Sequence, residues 1–138
     1  MQLDKSKFII GTANFGRSYG YGKKLNNISL KKAIELLKFC KKNNVDSLDT
    51  AIDYGVSQEI IGKISTELKI TTKIEFLKGG KKEIKNKIIS EVNKSLNNLK
   101  VKKIYCLMLH DPLQLLSKDG KYIMENLNAL KKRGIISK

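Results

Sequence analysis

Four times along this chain a short apolar run gives way to a longer stretch of helical period, and that alternation restricts the fold most. The first run is "FIIG", Phe8–Gly11, which ends in glycine and reads as a strand. Thr12 to Asn27 is rich in Gly, Tyr and Asn and reads as a long loop. Ser29 is the expected N-cap of a helix carrying Leu30, Ala33, Ile34 and Leu37, ending near Asn43–Asn44. Val45 to Asp49 is the second strand. Ser57 is then expected to cap a short helix with Ile60, Ile61, Ile64 and Leu68 on one side. Lys69 to Lys73 ("KITTK") is a third strand rich in β-branched residues. Ile84, Ile88, Val92, Leu96 and Leu99 line one face of a long helix. Ile104 to Leu109 is continuously apolar, as suits a parallel strand covered on both faces. The loop "HDPLQLLSKDG" follows, then a last helix through Ile123, Leu127 and Leu130, closed by Gly134 at C′.

Strands alternating with helices imply parallel pairing and right-handed crossovers. Two α/β architectures satisfy that order, an open doubly wound sheet or part of a (β/α)8 barrel. The first strand-to-helix turn carries neither G-x-G-x-x-G nor a Walker A pattern, which disfavours the nucleotide-binding open sheet. The reading is therefore a partial TIM-type barrel of about four βα units in the order 1-2-3-4, with residues 1–138 forming one unit.

The formal charge of +15 raises the question of nucleic acid. Only Arg17 and Arg133 are arginine, and the lysines fall in pairs scattered along the chain. Phosphate-binding surfaces favour arginine for its bidentate fork, so dispersed lysine reads as solvated helix faces and nucleic-acid binding is disfavoured. Cys40 and Cys106 share no metal-ligand spacing and sit among apolar neighbours, where each reads as a small buried hydrophobe rather than a metal ligand or half of a disulfide. No apolar run reaches the roughly 20 residues that cross a bilayer, and the N-terminus lacks a cleavage pattern. The expected location is the cytoplasm, with no membrane contact.

The strand ends hold the chemistry. In order they are Gly11–Thr12, Asp49, Lys73 and His110, the last being the only histidine. In a barrel, the C-terminal strand ends form the active-site face. Alternation puts Val45, Ser47 and Asp49 on one face, with Thr71, Lys73, Cys106, Met108 and His110 matching them. Tyr54 follows Asp49 closely, beside a glycine. A phenol is a poor proton donor at neutral pH, but a neighbouring ammonium favours its phenolate and eases release of the proton. The aspartate then holds the ammonium, and a neutral imidazole orients a bound carbonyl. Such a group suits protonation of a carbonyl oxygen while hydride arrives at carbon.

These segments resemble the aldo-keto reductases. "IIGTANFG" is similar to that family's first strand and loop, and "LDTAIDYG" to its Asp-x-Ala-x-x-x-Tyr-Gly signature, here Asp49, Ala51, Tyr54 and Gly55. "SQEIIGK", "ITTK" and "KSLNNLKVKKIYCLMLHDP" resemble the segments that follow, including the strand ending in lysine and the strand ending in histidine. The resemblance implies a catalytic set of Asp49, Tyr54, Lys73 and His110 and reduction of a small-molecule carbonyl (aldehyde, ketone or sugar). It implies NADP(H) as cofactor, with Gly11, Thr12 and Asp49 as candidate contacts. Asn14, Arg17, Tyr19 and Tyr21 are further loop candidates.

Members of that family continue past "LKKRGIISK" into strands five to eight, which bind most of the cofactor. The 138 residues are therefore expected to be a truncated N-terminal half, weak in cofactor binding and inactive alone. Strand four is expected to be an unpaired apolar edge prone to edge-to-edge self-association. Two other classes stand as alternatives: a non-catalytic regulatory or interaction module of the same fold, and, less favoured, a basic protein that binds polyanions.

Overall fold

The computed structural model describes residues 8–16, 28–64 and 67–138. Arg17, Tyr19 and Tyr21 lie outside them. The elements follow one another as β1 (Ile9–Gly11), α1 (Ala13–Gly16), α2 (Leu30–Lys42), β2 (Ser47–Asp49), α3 (Ser57–Gly62), β3 (Lys69–Ile74), α4 (Lys81–Leu99), β4 (Cys106–Leu109) and α5 (Gly120–Lys132). All strand pairs are parallel, in the order β1-β2-β3-β4. A doubly wound sheet would place β1 between later strands, so the partial-barrel order is the one adopted.

Strand alternation divides the sheet into two unlike faces. Along β3, Ile70, Thr72 and Ile74 are buried while Lys69, Thr71 and Lys73 stay at least partly open. Parallel partners in register share a face. Asp49 pairs with Thr71, Thr71 with Cys106 and Lys73 with Met108, so these residues line the open face together. The other face carries the core. Leu48 and Ile70 meet Phe15 of α1, Ala33 and Leu37 of α2, and Ile60 and Ile61 of α3. Ile74, Leu107 and Leu109 meet Ile84, Ile88 and Val92 of α4 and Ile123 and Leu130 of α5. The open face keeps apolar groups in solvent, with Ile9 61% and Met108 47% exposed.

Local chemistry departs from the sequence reading at several points. Ser29 caps α2 as expected, accepting from Lys32 N. β2 is shorter than Val45–Asp49, because α2 ends in a left-handed turn at Asn44 (φ 60°) and Val45 N is still bonded to Cys40 O. Part of the expected loop after β1 winds into α1. Ser57 does not cap α3. Val56 occupies that position, and Ser57 is the fully buried first residue of the helix.

β4 likewise begins at Cys106, with Ile104 in an isolated parallel bridge to Ile136. Residues 135–138 continue that pairing: Lys138 N donates to Tyr105 O, and Leu107 N to Lys138 O, each at 3.0 Å. The lower half of β4 is therefore not a bare edge. Gly134 closes α5 at φ 73°, as expected. Cys40 is buried, whereas Cys106 is only half-buried on the open face. Among the described residues no helix is long and apolar enough to cross a membrane.

Candidate active site

Backbone bonds beyond the strands carry the functional side chains. His110 N donates to Ile74 O at 2.9 Å, extending β4 by one residue and fixing the histidine above the sheet. Thr50 N donates to Thr71 O and Ile52 N to Lys73 O, so the chain after Asp49 keeps following β3 before it turns at Tyr54. That turn packs closely against the end of α1. A Cβ on Gly16 would collide with Tyr54 O, and one on Gly55 (φ +57°) with Gly16 O. Two glycines thus allow the backbone approach that sets Tyr54 in place.

On the open face, Lys73 Nζ lies 2.5 Å from Asp49 Oδ1 and donates to Thr50 O at 3.1 Å. The same ammonium stands 5.2 Å from the centroid of the Tyr54 ring, a cation–π distance. The rings of Tyr54 and His110 meet edge to face, centroids 6.0 Å apart and planes at 80°. Asp49, Lys73, Tyr54 and His110 are thus brought together at the C-terminal end of the sheet. The Lys73 side chain is 15% exposed and Asp49 33%, so their attraction is less screened than in a surface pair.

The three candidate cofactor contacts divide. Gly11 and Asp49 are register partners on the open face. Thr12 is fully buried, and its hydroxyl donates to Asp49 O at 2.9 Å. Ser57 in turn donates to Thr12 Oγ1 at 2.8 Å, and Thr50 Oγ1 lies 3.1 Å from Ser57 Oγ. These hydroxyls form a relay beneath the strand ends that ties β1, β2 and α3 together. Thr12 thus has a structural part. Asn14 lies in α1, where its carbonyl oxygen accepts from Ile28 N.

Several supporting residues escaped the sequence reading. Asp53 Oδ1 is 3.3 Å from His110 Nδ1. Gln58, 1% exposed, donates to Thr72 Oγ1 at 2.9 Å and Ser95 Oγ at 3.0 Å, linking α3, β3 and α4. Glu91 accepts from Glu75 N, and Gln114 from Leu77 N, which anchors the loop leaving β3 just past Lys73. Asp53 could have been noticed as a carboxylate beside Tyr54. Nothing in the spacing of Gln58, Glu91 or Gln114 marks them out. Among the described residues, His, Cys, Asp and Glu side chains form no group of three suited to a metal.

The comparisons with known proteins bear on this geometry. The structure superposes on a protein assigned to the aldo-keto reductases from Pseudomonas aeruginosa, with TM-score 0.73 and 23% identity over 93% of this chain and 52% of that one. It also matches a thermostable aldo-keto reductase solved with the inhibitor epalrestat (TM-score 0.70, 20% identity, 94% of this chain and 46% of that one). A third match is a protein assigned as a 2,5-diketo-D-gluconic acid reductase B (TM-score 0.65, 20% identity, 94% and 41%). At such identities these likenesses speak for the fold, a partial (β/α)8 barrel, and this chain spans about half the length of those proteins. No curated protein matches the sequence. The sequence profile of the aldo/keto reductase family matches residues 7–138. A match over nearly all of its length means that the chain belongs to the aldo/keto reductase family.

Proposed function

We propose that the mouth of this sheet is the proton-delivering part of a carbonyl-reduction site, acting on a small-molecule aldehyde, ketone or sugar. The observation that carries the reading is the position of Lys73, held by Asp49 and facing the ring of Tyr54, with His110 edge-on to the same ring. Tyr54 is the general acid toward the substrate oxygen. Lys73 favours the phenolate left behind, Asp49 fixes Lys73, and His110 orients the substrate. A purely binding module would have no use for an ammonium trained on a phenol.

NADP(H), to which family membership points, would supply the hydride. The described residues suit only its reacting end, with Gly11 and Asp49 on the open face as the candidate contacts. They offer its phosphates no cradle. The ammonium of Lys73 is already paired with Asp49. The first turn of α4, where Gly79 and Gly80 precede two lysines, has the Glu83 side chain packed against both glycines. A carboxylate there opposes a phosphate.

The test is NADPH oxidation with a panel of aldehydes, measured on the 138-residue chain and on a barrel completed with the second half of the Pseudomonas protein. The chain alone is expected to be inactive and the completed barrel active. A completed barrel that folds and binds NADPH yet reduces no carbonyl contradicts the reading.

A further inference from the structure

Helix α4 buries one carboxylate among its apolar contacts. Glu91 is 8% exposed, on the face that carries Ile84, Ile88 and Val92. Burying a carboxylate is unfavourable unless it is paired and hydrogen-bonded, so packing alone does not call for one here. Its Oε2 accepts from Glu75 N at 2.8 Å, and its Oε1 lies 3.4 Å from Lys87 Nζ. Lys87 in turn donates to Phe76 O at 3.0 Å.

Glu75 N belongs to the peptide group that joins Ile74 to Glu75, and the carbonyl of that same group accepts from His110 N at 2.9 Å. A planar trans peptide sends its N–H and its C=O to opposite sides. One plane at the end of β3 is thus gripped by α4 on one side and carries His110 on the other. We propose that Glu91 is a positioning residue that acts through this plane to set the place of His110 beside Tyr54. Beyond Ile52, whose N–H donates to Lys73 O, the chain after β2 turns toward Tyr54, so Glu75 N takes its acceptor from a helix rather than a strand. The carboxylate also polarises the peptide. A charged acceptor on the N–H makes the carbonyl a stronger acceptor for His110 N.

The test is NMR of the labelled 138-residue chain. Exchange of the His110 amide is compared with that of Leu107 in β4, whose N–H donates to Lys138 O, so that global unfolding cancels from the ratio. His110 is the only histidine, so its ring protons are unambiguous, and their shifts report the edge-on Tyr54 ring. Glu91→Met keeps the length of the side chain and removes the acceptor. It is expected to speed His110 exchange relative to Leu107 by about tenfold or more and to shift the ring signals. Glu91→Gln retains an acceptor oxygen and should keep both near wild type. A Glu91→Met chain with both unchanged overturns the proposal, as does a Glu91→Gln chain that behaves like Glu91→Met. If Glu91→Met loses its amide dispersion, Glu91→Asp replaces it, its shorter stem drawing the carboxylate back from Glu75 N. The same changes are then expected, and wild-type values contradict. No turnover enters the measurement, and the placement of His110 does not depend on the carbonyl-reduction reading, so the two fail separately.

Discussion

Lys73 projects from β3 between a carboxylate and a phenol ring, and its replacement separates structure from chemistry. Lys73→Met keeps most of the side-chain volume and leaves Asp49 without its cation. Charge-assisted hydrogen bonds are worth about 1.5–3 kcal/mol each, and Asp49 keeps some contact with water, so a loss of about 1–3 kcal/mol is expected in urea denaturation. In the completed barrel the same change should lower kcat by about 10²-fold or more, because the phenolate loses its counter-charge. A Lys73→Met enzyme with unchanged kcat would remove the ammonium from the mechanism. The two cysteines give a second residue-scale test. Burial pushes the Cys40 thiol above its ordinary range, so little thiolate is present at neutral pH. Cys106 lies half-buried on the open face. Maleimide followed by mass spectrometry should therefore modify Cys106 before Cys40, and the reverse order would mean that the open face is covered.

Among the elements, α3 has the unusual task of carrying polar groups through the core. Gln58 joins it to Thr72 of β3 and Ser95 of α4, and Asn98 lies 3.4 Å from Gln58 Oε1. Gln58→Ala would leave buried hydroxyls without that partner and open a cavity. A loss of about 2–4 kcal/mol is expected from the urea midpoint, and a loss below about 0.5 kcal/mol would show that the network carries no weight. The contrast with the apolar elements explains what could be read in advance. α2, α4 and α5 were legible because their buried positions recur at helical spacing over 13, 19 and 13 residues. β2 was overread because the turn closing α2 takes up Val45, an event set by backbone geometry at Asn44 rather than by hydropathy. The hydroxyl relay was illegible because Ser57 and Thr12 are 45 residues apart, and no spacing rule links them. Asp49, Tyr54, Lys73 and His110 could be found as a set because each stands at or just beyond a strand end. Asp53 was passed over as spacer within the same short segment.

For the whole molecule the open face sets the behaviour. Phe8, Ile9 and Met108 are largely exposed, and a groove of about 340 Å³ between β4 and α5 is lined by Leu107, Met108, Leu115, Met124 and Leu127. Residues 135–138 cover the lower half of β4, while apolar groups on the open face and along this groove stay uncovered. Burying it against a second copy would bring together two chains of formal charge +15. Screening that repulsion, with a Debye length of about 8 Å at physiological salt and about 3 Å at 1 M, should let the apolar contact prevail. Sedimentation velocity of the 138-residue chain is thus expected to show self-association that grows with salt, and a monomer at every salt concentration would contradict this.

In the proposed reaction Tyr54 delivers the proton, and steady-state kinetics of Tyr54→Phe in the completed barrel, with NADPH affinity measured on the same protein, isolate that step. The ring and its packing survive this change, while the hydroxyl does not. The expected result is a fall in kcat of about 10²–10⁴-fold with cofactor affinity nearly unchanged. A phenylalanine enzyme that keeps its kcat, or one that loses NADPH instead, would contradict it.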